Sequence, residues 1–171
     1  MNVARIAAMF ALLTAGSMIP LSSIAVPVEI ESYVWTDHVA KRQPARTYKV
    51  VARVRGLYLW TRVKGNAQAL DYIRRNGAIP VVHKWYRLNS RGMEYEGFDD
   101  IALDVGSQED LRKLEGQVAQ TGFFTWRVWS RKENLTPGQW LVKIVTDEDD
   151  PVPCADGGTQ RVKCELEIEI R

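Results

Sequence analysis

The sequence predicts a mainly β domain, an Ig-like antiparallel β-sandwich with two short helical insertions. Three observations lead to this class. Several segments alternate apolar with polar side chains, as half-buried strands do. Turn residues separate those segments. Strand follows strand, without the regular helical crossovers of a parallel sheet. A partly open β-barrel is the alternative packing of the same strands.

The strand and helix signals follow one another along the whole chain after its first residues. Strand signals cover residues 28–35, 48–63, 79–88, 95–105, 123–145 and 161–170. Asn66 caps a first helix predicted over 66–76, and Ser107 caps a second predicted over 107–120. The last strand has the clearest period of two, which predicts one buried and one solvated face.

Residues 123–145 are predicted to form a hairpin that is the wall of the core. The apolar face of its first strand carries Phe124, Trp126 and Val128. Pro137 and Gly138 break the chain, and Trp140 opens the next alternating run. Burying one Trp removes about 150–250 Å² from water, which is worth roughly 4–6 kcal/mol gross. We therefore expect these tryptophans to line the core.

The first 25 residues have the pattern of a secretory signal peptide. A nearly unbroken apolar run over residues 6–19 precedes small residues that end at Ala25, after which cleavage is predicted. Residues 26–171 would then be a single mature domain in the bacterial periplasm or outside the cell. An uncleaved membrane anchor is the alternative, although the run is short for a span. No membrane span is expected after cleavage.

Net charge and cysteine content limit the partners and cofactors that are expected. The chain has 23 basic and 21 acidic residues, a net charge of +2, so no nucleic-acid partner is expected. Cys154 and Cys164 are predicted to form a disulfide in an oxidising compartment, with two free thiols as the alternative. His38 and His83 are far from the cysteines in sequence, so no metal site is expected, and no cofactor is implied.

No residue pattern typical of an enzyme is present, and we predict a non-catalytic protein. His83 lies in an apolar strand, where a hydrogen-bonded structural histidine fits better than a catalytic one. Four acids could form the carboxylate pair of a glycan-cleaving site, although solvated turn acids fit better: Glu94, Glu96, Asp99 and Asp100. The run 147–150 is acidic but lacks the spacing of a calcium loop.

The best candidate for binding is an aromatic and basic face outside the core. Its predicted members are Arg127, Trp129, Lys132, Lys84 and Tyr86. Trp and Arg are enriched at binding hot spots, and a guanidinium can stack on an aromatic ring. We expect an envelope protein as partner, or alternatively a glycan, in which case the domain binds or cleaves polysaccharide. The alternative for these aromatics is packing beneath a helix or between sheets.

Five short motifs in order resemble the bacterial domain of unknown function 2914 family over roughly residues 35–150. They are Lys41-Arg42-Gln43-Pro44; Leu57-Tyr58-Leu59-Trp60-Thr61 with Lys64-Gly65; His83-Lys84-Trp85-Tyr86; Trp126 to Lys132; and Gly138 to Val142 with Asp147. The segment 107–120 and the tail that carries both cysteines depart from the family pattern. The resemblance implies a small β-rich envelope domain and supplies no catalytic residues.

Overall fold

A computed structural model describes residues 28–52, 55–155 and 161–171. The predicted signal peptide and its cleavage site lie outside those residues. In chain order the described elements are β1 (Val28–Thr36), β2 (Val39–Ala40), β3 (Gln43–Pro44), β4 (Val50–Val51), β5 (Gly56–Asn66), α1 (Ala67–Asn76), β6 (Ala78–Ile79), β7 (Val82–Asn89), β8 (Gly92–Asp100), β9 (Leu103–Asp104), α2 (Gln108–Thr121), β10 (Phe123–Glu133), β11 (Gly138–Val145), β12 (Pro153–Ala155), β13 (Arg161–Lys163) and β14 (Glu165–Ile170).

Ten of these strands form two five-stranded sheets that pack face to face. Sheet 1 has the order β10-β5-β1-β12-β13, and sheet 2 has the order β4-β14-β11-β7-β8. Most neighbours are antiparallel, whereas β1 with β12 and β4 with β14 are parallel. The short pairs β2–β3 and β6–β9 form separate ribbons. The predicted Ig-like β-sandwich with two short helical insertions is thereby confirmed.

Two indole rings join the sheets at the centre of the core. Trp35 of β1 and Trp85 of β7 meet edge to face, with ring centroids 5.8 Å apart and planes inclined by 62°. Both are buried, as is Trp140 of β11. The predicted burial of Trp140 is confirmed, whereas Trp126 is only partly buried and packs against the core. Trp35 and Trp85, which lie outside the predicted hairpin, supply the centre of the core.

Both helices begin at the predicted caps. The side-chain oxygen of Asn66 accepts hydrogen bonds from the N–H groups of Gln68 and Ala69 at 2.9 and 3.1 Å. Ser107 Oγ accepts one from the N–H of Asp110 at 3.1 Å. These bonds satisfy donors that the first helical turn leaves without a partner. In the described part of the chain, neither helix is long and apolar enough to cross a membrane.

The predicted hairpin over residues 123–145 is wrong. β10 pairs with β5 in sheet 1, whereas β11 pairs with β14 and β7 in sheet 2. The connection through Asn134 (φ 56°) and Gly138 (φ 135°) therefore carries the chain from one sheet to the other. Turn residues mark a reversal of the chain, but the hydrogen bonds of each strand decide which sheet it joins.

Two other predicted strands are also divided between the sheets. The segment predicted as one strand over 48–63 contains β4 in sheet 2 and β5 in sheet 1, with Gly56 as the first residue of β5. The segment over 161–170 contains β13 in sheet 1 and β14 in sheet 2, separated at Cys164. The predicted alternation persists in β14, where Leu166, Ile168 and Ile170 are buried.

One contact between the sheets lies on each open side of the sandwich. On one side the predicted disulfide is present. It joins Cys154 of β12 to Cys164, which precedes β14, and their Cα atoms are 4.8 Å apart. On the other side, Lys132 Nζ at the end of β10 donates a hydrogen bond to the carbonyl oxygen of Glu96 in β8. The disulfide joins β12 of sheet 1 to the residue before β14 of sheet 2, and the hydrogen bond joins β10 of sheet 1 to β8 of sheet 2.

Replacing Cys154 by Ser is expected to lower the free energy of unfolding by about 2–3 kcal/mol, because the bridge restricts the unfolded chain over a separation of 10 residues. In a domain of this size the loss corresponds to about 5–10 °C in Tm. Thermal unfolding followed by circular dichroism with and without reductant measures it. The wild type and the variant should unfold alike in reductant, and an equal difference under both conditions contradicts the prediction.

Candidate binding surfaces

The five residues predicted to share one binding face do not lie together. Arg127 and Trp129 are on the outer face of sheet 1, on its edge strand β10. Arg127 is exposed and Trp129 is half-buried. The residue between them, Val128, turns inward and is buried. Because β10 and β7 belong to different sheets, residues of β7 do not extend this face.

Lys84 and Tyr86 lie on the outer face of sheet 2, on the opposite side of the sandwich. Strand side chains alternate, and the neighbours His83 and Trp85 are fully buried between the sheets. Lys84 and Tyr86 must therefore point away from the core, and both are half-buried. The predicted single face is thus corrected to two separate surfaces.

Lys132 belongs to neither surface. It has the same strand parity as the buried Val128, so it turns toward sheet 2. Its ammonium group donates to the carbonyl oxygen of Glu96 and lies 3.6 Å from where a Cβ on Gly97 would be. Lys132 therefore joins the edges of the two sheets, and it is not a free cation for a ligand.

An apolar and aromatic surface covers β7 and β8 on the outside of sheet 2. We call it the sheet-2 patch: Tyr86, Leu88, Met93, Tyr95 and Phe98. Phe98 is 62% exposed, Met93 54% and Tyr95 52%. The rings of Tyr86 and Tyr95 are 5.5 Å apart and inclined by 58°, while Met93 lies opposite Leu88. Of the predicted residues, only Tyr86 is a member.

A β-bulge places Tyr95 and Phe98 on the same face. These residues are three positions apart, so a regular strand would turn them to opposite faces. In β8, Tyr95 lies opposite Tyr86, but Gly97 lies opposite Trp85, which leaves Glu96 as the additional residue. Sequence reasoning missed this arrangement. A glycine inside a strand, here with φ 124°, is the signal that could have indicated a bulge.

Two cations beside the sheet-2 patch are paired with carboxylates. Lys84 Nζ forms an ion pair with Asp149, and this hydrogen bond holds the pKa of Lys84 above its usual value. Lys143 Nζ is 3.3 Å from Glu165 and 5.6 Å from the centre of the Tyr86 ring. The apolar surface therefore has two paired cations on its border, and a polar border around an apolar centre is usual at protein interfaces.

Two of the four acids considered for glycan cleavage, Asp99 and Glu94, have structural partners. Asp99 accepts a hydrogen bond from the Trp85 indole at 3.1 Å, and Glu94 accepts one from the Asn89 amide at 3.1 Å. The side chain of Asp100 lies outside the described part of the structure. In the loop 147–150, the hydroxyl of Thr146 accepts from the N–H groups at 148 and 150. Among the described residues there is no cluster of three or more His, Cys, Asp or Glu that could hold a metal ion.

His83 has a serine partner that the sequence did not reveal. Its Nδ1 atom is 2.7 Å from Ser130 Oγ on β10, so the contact crosses from sheet 2 to sheet 1. Both side chains are buried, and Nε2 has no hydrogen-bond partner in the described part of the chain. A hydrolytic serine must reach both its substrate and a base. These atoms are closed to solvent, so the pair is a core contact in this structure.

Neither a protein-family model nor a curated protein sequence matches the chain, and the family resemblance stays a prediction. Three solved structures show weak likeness. The alkylpurine DNA glycosylase AlkC of Pseudomonas fluorescens has 11% identity and a TM-score of 0.41, over 85% of this chain and 31% of that one. An immunoglobulin-like protein of Pseudomonas aeruginosa has 8% identity and a TM-score of 0.40, over 86% and 99%. A β-glucosidase of Listeria innocua has 11% identity and a TM-score of 0.36, over 81% and 16%.

The chain therefore spans less than a third of the glycosylase and less than a fifth of the glucosidase. Likenesses of this strength do not bear on catalytic activity or on ligands. The class of the protein follows from its own sheets: a mainly β sandwich of two five-stranded sheets.

Replacing Gly97 by Ala is expected to lower the free energy of unfolding by about 1–3 kcal/mol, because φ 124° strains any residue with a Cβ. Urea denaturation measures the change. Gly116 in α2 is the matched control, since a Cβ there meets no atom within 4 Å. Replacing Gly116 by Ala should stabilise the protein by about 0.5–1 kcal/mol through helix propensity. Equal effects of the two substitutions contradict the role of the bulge.

Stability is expected to fall as the solution becomes more acid than about pH 6.5. Burial lowers the pKa of His83 from its ordinary 6.5 to about 3. The neutral His83 therefore contributes fully to the free energy of unfolding above its pKa in the unfolded chain. That contribution is lost as the pH falls toward the lower pKa of His83 in the folded protein. The loss is about 1.4 kcal/mol per pH unit. Urea denaturation at pH 7 and pH 5 should show a lower free energy of unfolding at pH 5 in the wild type and in the exposed control His38→Gln. The variant His83→Gln should not show this loss. An unchanged slope in His83→Gln contradicts this account.

Proposed function

We propose that the chain is a non-catalytic module of the cell envelope that binds a partner protein. The observation that carries the proposal is the sheet-2 patch. Three large side chains on the nine-residue strand β8 are each more than half exposed, and Tyr86 and Leu88 extend the same surface. Contiguous exposed apolar surface is costly in water, and it marks interaction sites on soluble domains.

The geometry of the patch favours a protein over a glycan. A sugar ring stacks best on a flat aromatic surface, but Tyr86 and Tyr95 are inclined by 58° and form no common plane. The remaining members include the flexible Met93, which adapts to irregular apolar surfaces. Two ion pairs, Lys84 with Asp149 and Lys143 with Glu165, lie on their border. This combination of an apolar centre and a polar rim is the usual anatomy of a protein interface.

Two features support the cell envelope as the place of action. The first 25 residues have the pattern of a secretory signal peptide. The Cys154–Cys164 disulfide is of the kind that persists in oxidising compartments such as the periplasm. The resemblance to the domain of unknown function 2914 family implies the same compartment. Ser130 and His83 are both buried, so this serine and histidine do not argue against a binding role.

Replacing Phe98 by Asp should abolish capture of the partner, because truncating a central aromatic at an interface costs about 2 kcal/mol or more and a buried charge adds to it. Tagged wild type and variant are compared in pull-downs from envelope extract, and the captured proteins are identified by mass spectrometry. Tyr33→Asp is the matched control, since Tyr33 is 44% exposed in sheet 1, outside the patch. A partner captured by the wild type and Tyr33→Asp but lost with Phe98→Asp supports the proposal.

Two outcomes contradict it. Identical partner sets for all three proteins, with equal Tm values, show that the patch does not bind. Retention of the wild type on peptidoglycan or soluble glycans, lost in Phe98→Asp, assigns the patch to carbohydrate instead.

A further inference from the structure

We propose that the free edge of β10 binds an acidic segment of a partner protein in extended conformation, as an added strand of sheet 1. This surface lies on the other sheet from the sheet-2 patch, so the inference does not depend on that patch. It assigns Arg127 and Trp129 to a defined mode of recognition, in which backbone hydrogen bonds supply affinity and side chains supply specificity.

The first support is the open edge of the strand. β10 is eleven residues long, and among residues 28–52, 55–155 and 161–171 it pairs only with β5, so its other edge faces away from sheet 1. The N–H of Thr125 points to this open edge and not to β5, because it donates to the side-chain oxygen of Gln117 in α2 at 2.9 Å. Backbone groups alternate in direction along a strand, so those of Arg127 and Trp129 face the same open side. The contact with Gln117 covers only the start of this edge.

The second support is a groove beside that edge. It has a volume of about 400 Å³ and is lined by Ile101, Ala102, Arg127, Val128 and Trp129. Ile101, which follows β8 directly, is almost fully buried and supplies an apolar wall. Trp129 is half-buried and supplies an aromatic one. The groove is shallow, which suits an extended segment better than a compact ligand.

The third support is charge. Arg127 is exposed and has no ion pair, hydrogen bond or stacked ring within the described residues. It lies directly opposite Arg62, which is already paired with Glu31 at 2.5 Å. Like charges opposite each other destabilise a strand pair. By contrast, Arg131 is paired with Glu133 at 2.7 Å. A carboxylate from outside the chain is therefore what Arg127 lacks.

The same charges disfavour a second copy of this chain as the occupant. Pairing of β10 with β10 would add two further arginines from Arg127 and Arg131 to the same strip of surface. An acidic segment instead meets open backbone groups, an unpaired guanidinium and two apolar walls. We expect a glutamate or aspartate of that segment beside Arg127 and an apolar side chain beside Trp129.

The test uses a short capped peptide in which glutamate alternates with valine, and the same peptide with lysine in place of glutamate. Binding to the full mature chain is measured by fluorescence anisotropy, and the site is located by NMR of backbone amides. The glutamate peptide should bind at least about tenfold more tightly than the lysine peptide. Arg127→Glu should reverse that preference, while Arg112→Glu on α2 serves as the exposed control and should leave it unchanged.

The NMR arm separates this site from the sheet-2 patch. The amides of Arg127 and Trp129 should shift and become protected from exchange on binding, whereas those of Tyr95 and Phe98 should not. Methylation of every backbone nitrogen of the glutamate peptide should abolish binding. No saturation up to about 1 mM glutamate peptide, equal binding of both peptides, or shifts confined to β8 would each overturn the proposal. Concentration-dependent dimers lost in Arg127→Glu would assign the edge to a second copy instead.

Discussion

The edge-to-face contact between Trp35 and Trp85 is the constraint on which the rest of the structure depends. It is the place where β1 of sheet 1 and β7 of sheet 2 are held together by two large rings, each worth roughly 4–6 kcal/mol gross on burial. Since the side chains of a strand alternate, an inward Trp85 fixes the direction of every other residue in β7. The outer face of sheet 2 is therefore a consequence of how the core is packed.

A second inter-sheet contact does the same for β10. Ser130 reaches His83 between the sheets, so the residues of its parity turn inward and Arg127 and Trp129 turn outward. The core thus determines both exposed surfaces, although they lie on opposite sides of the sandwich. This arrangement gives a small domain two faces with different chemistry: one is apolar and aromatic, and the other has an exposed arginine, Arg127, beside an open strand edge.

The sequence was most informative where the structure depends on neighbouring residues. The cap at Asn66, the turn that joins β7 to β8 and the alternation in β14 all follow from local chemistry, and all are present. The sheet to which a strand belongs depends on partners far away in the chain. The break at Gly138 was therefore predicted as a hairpin turn but is a crossover between the sheets. Lys132 was predicted on the outer face but joins the edges of the two sheets. Tyr95 and Phe98 were missed because Gly97 shifts the strand by one residue.

The position of β14 has a consequence for how the molecule assembles. This strand lies between β4 and β11, and it pairs with residues more than a hundred positions earlier, at Val50 and Val51. Until β14 arrives, sheet 2 is divided into two pieces, each with an unprotected border that can attract other chains. Late, long-range closure of this kind makes folding slow and leaves the incomplete polypeptide prone to aggregation. A chain of this design gains most from a chaperone while β14 is still unpaired.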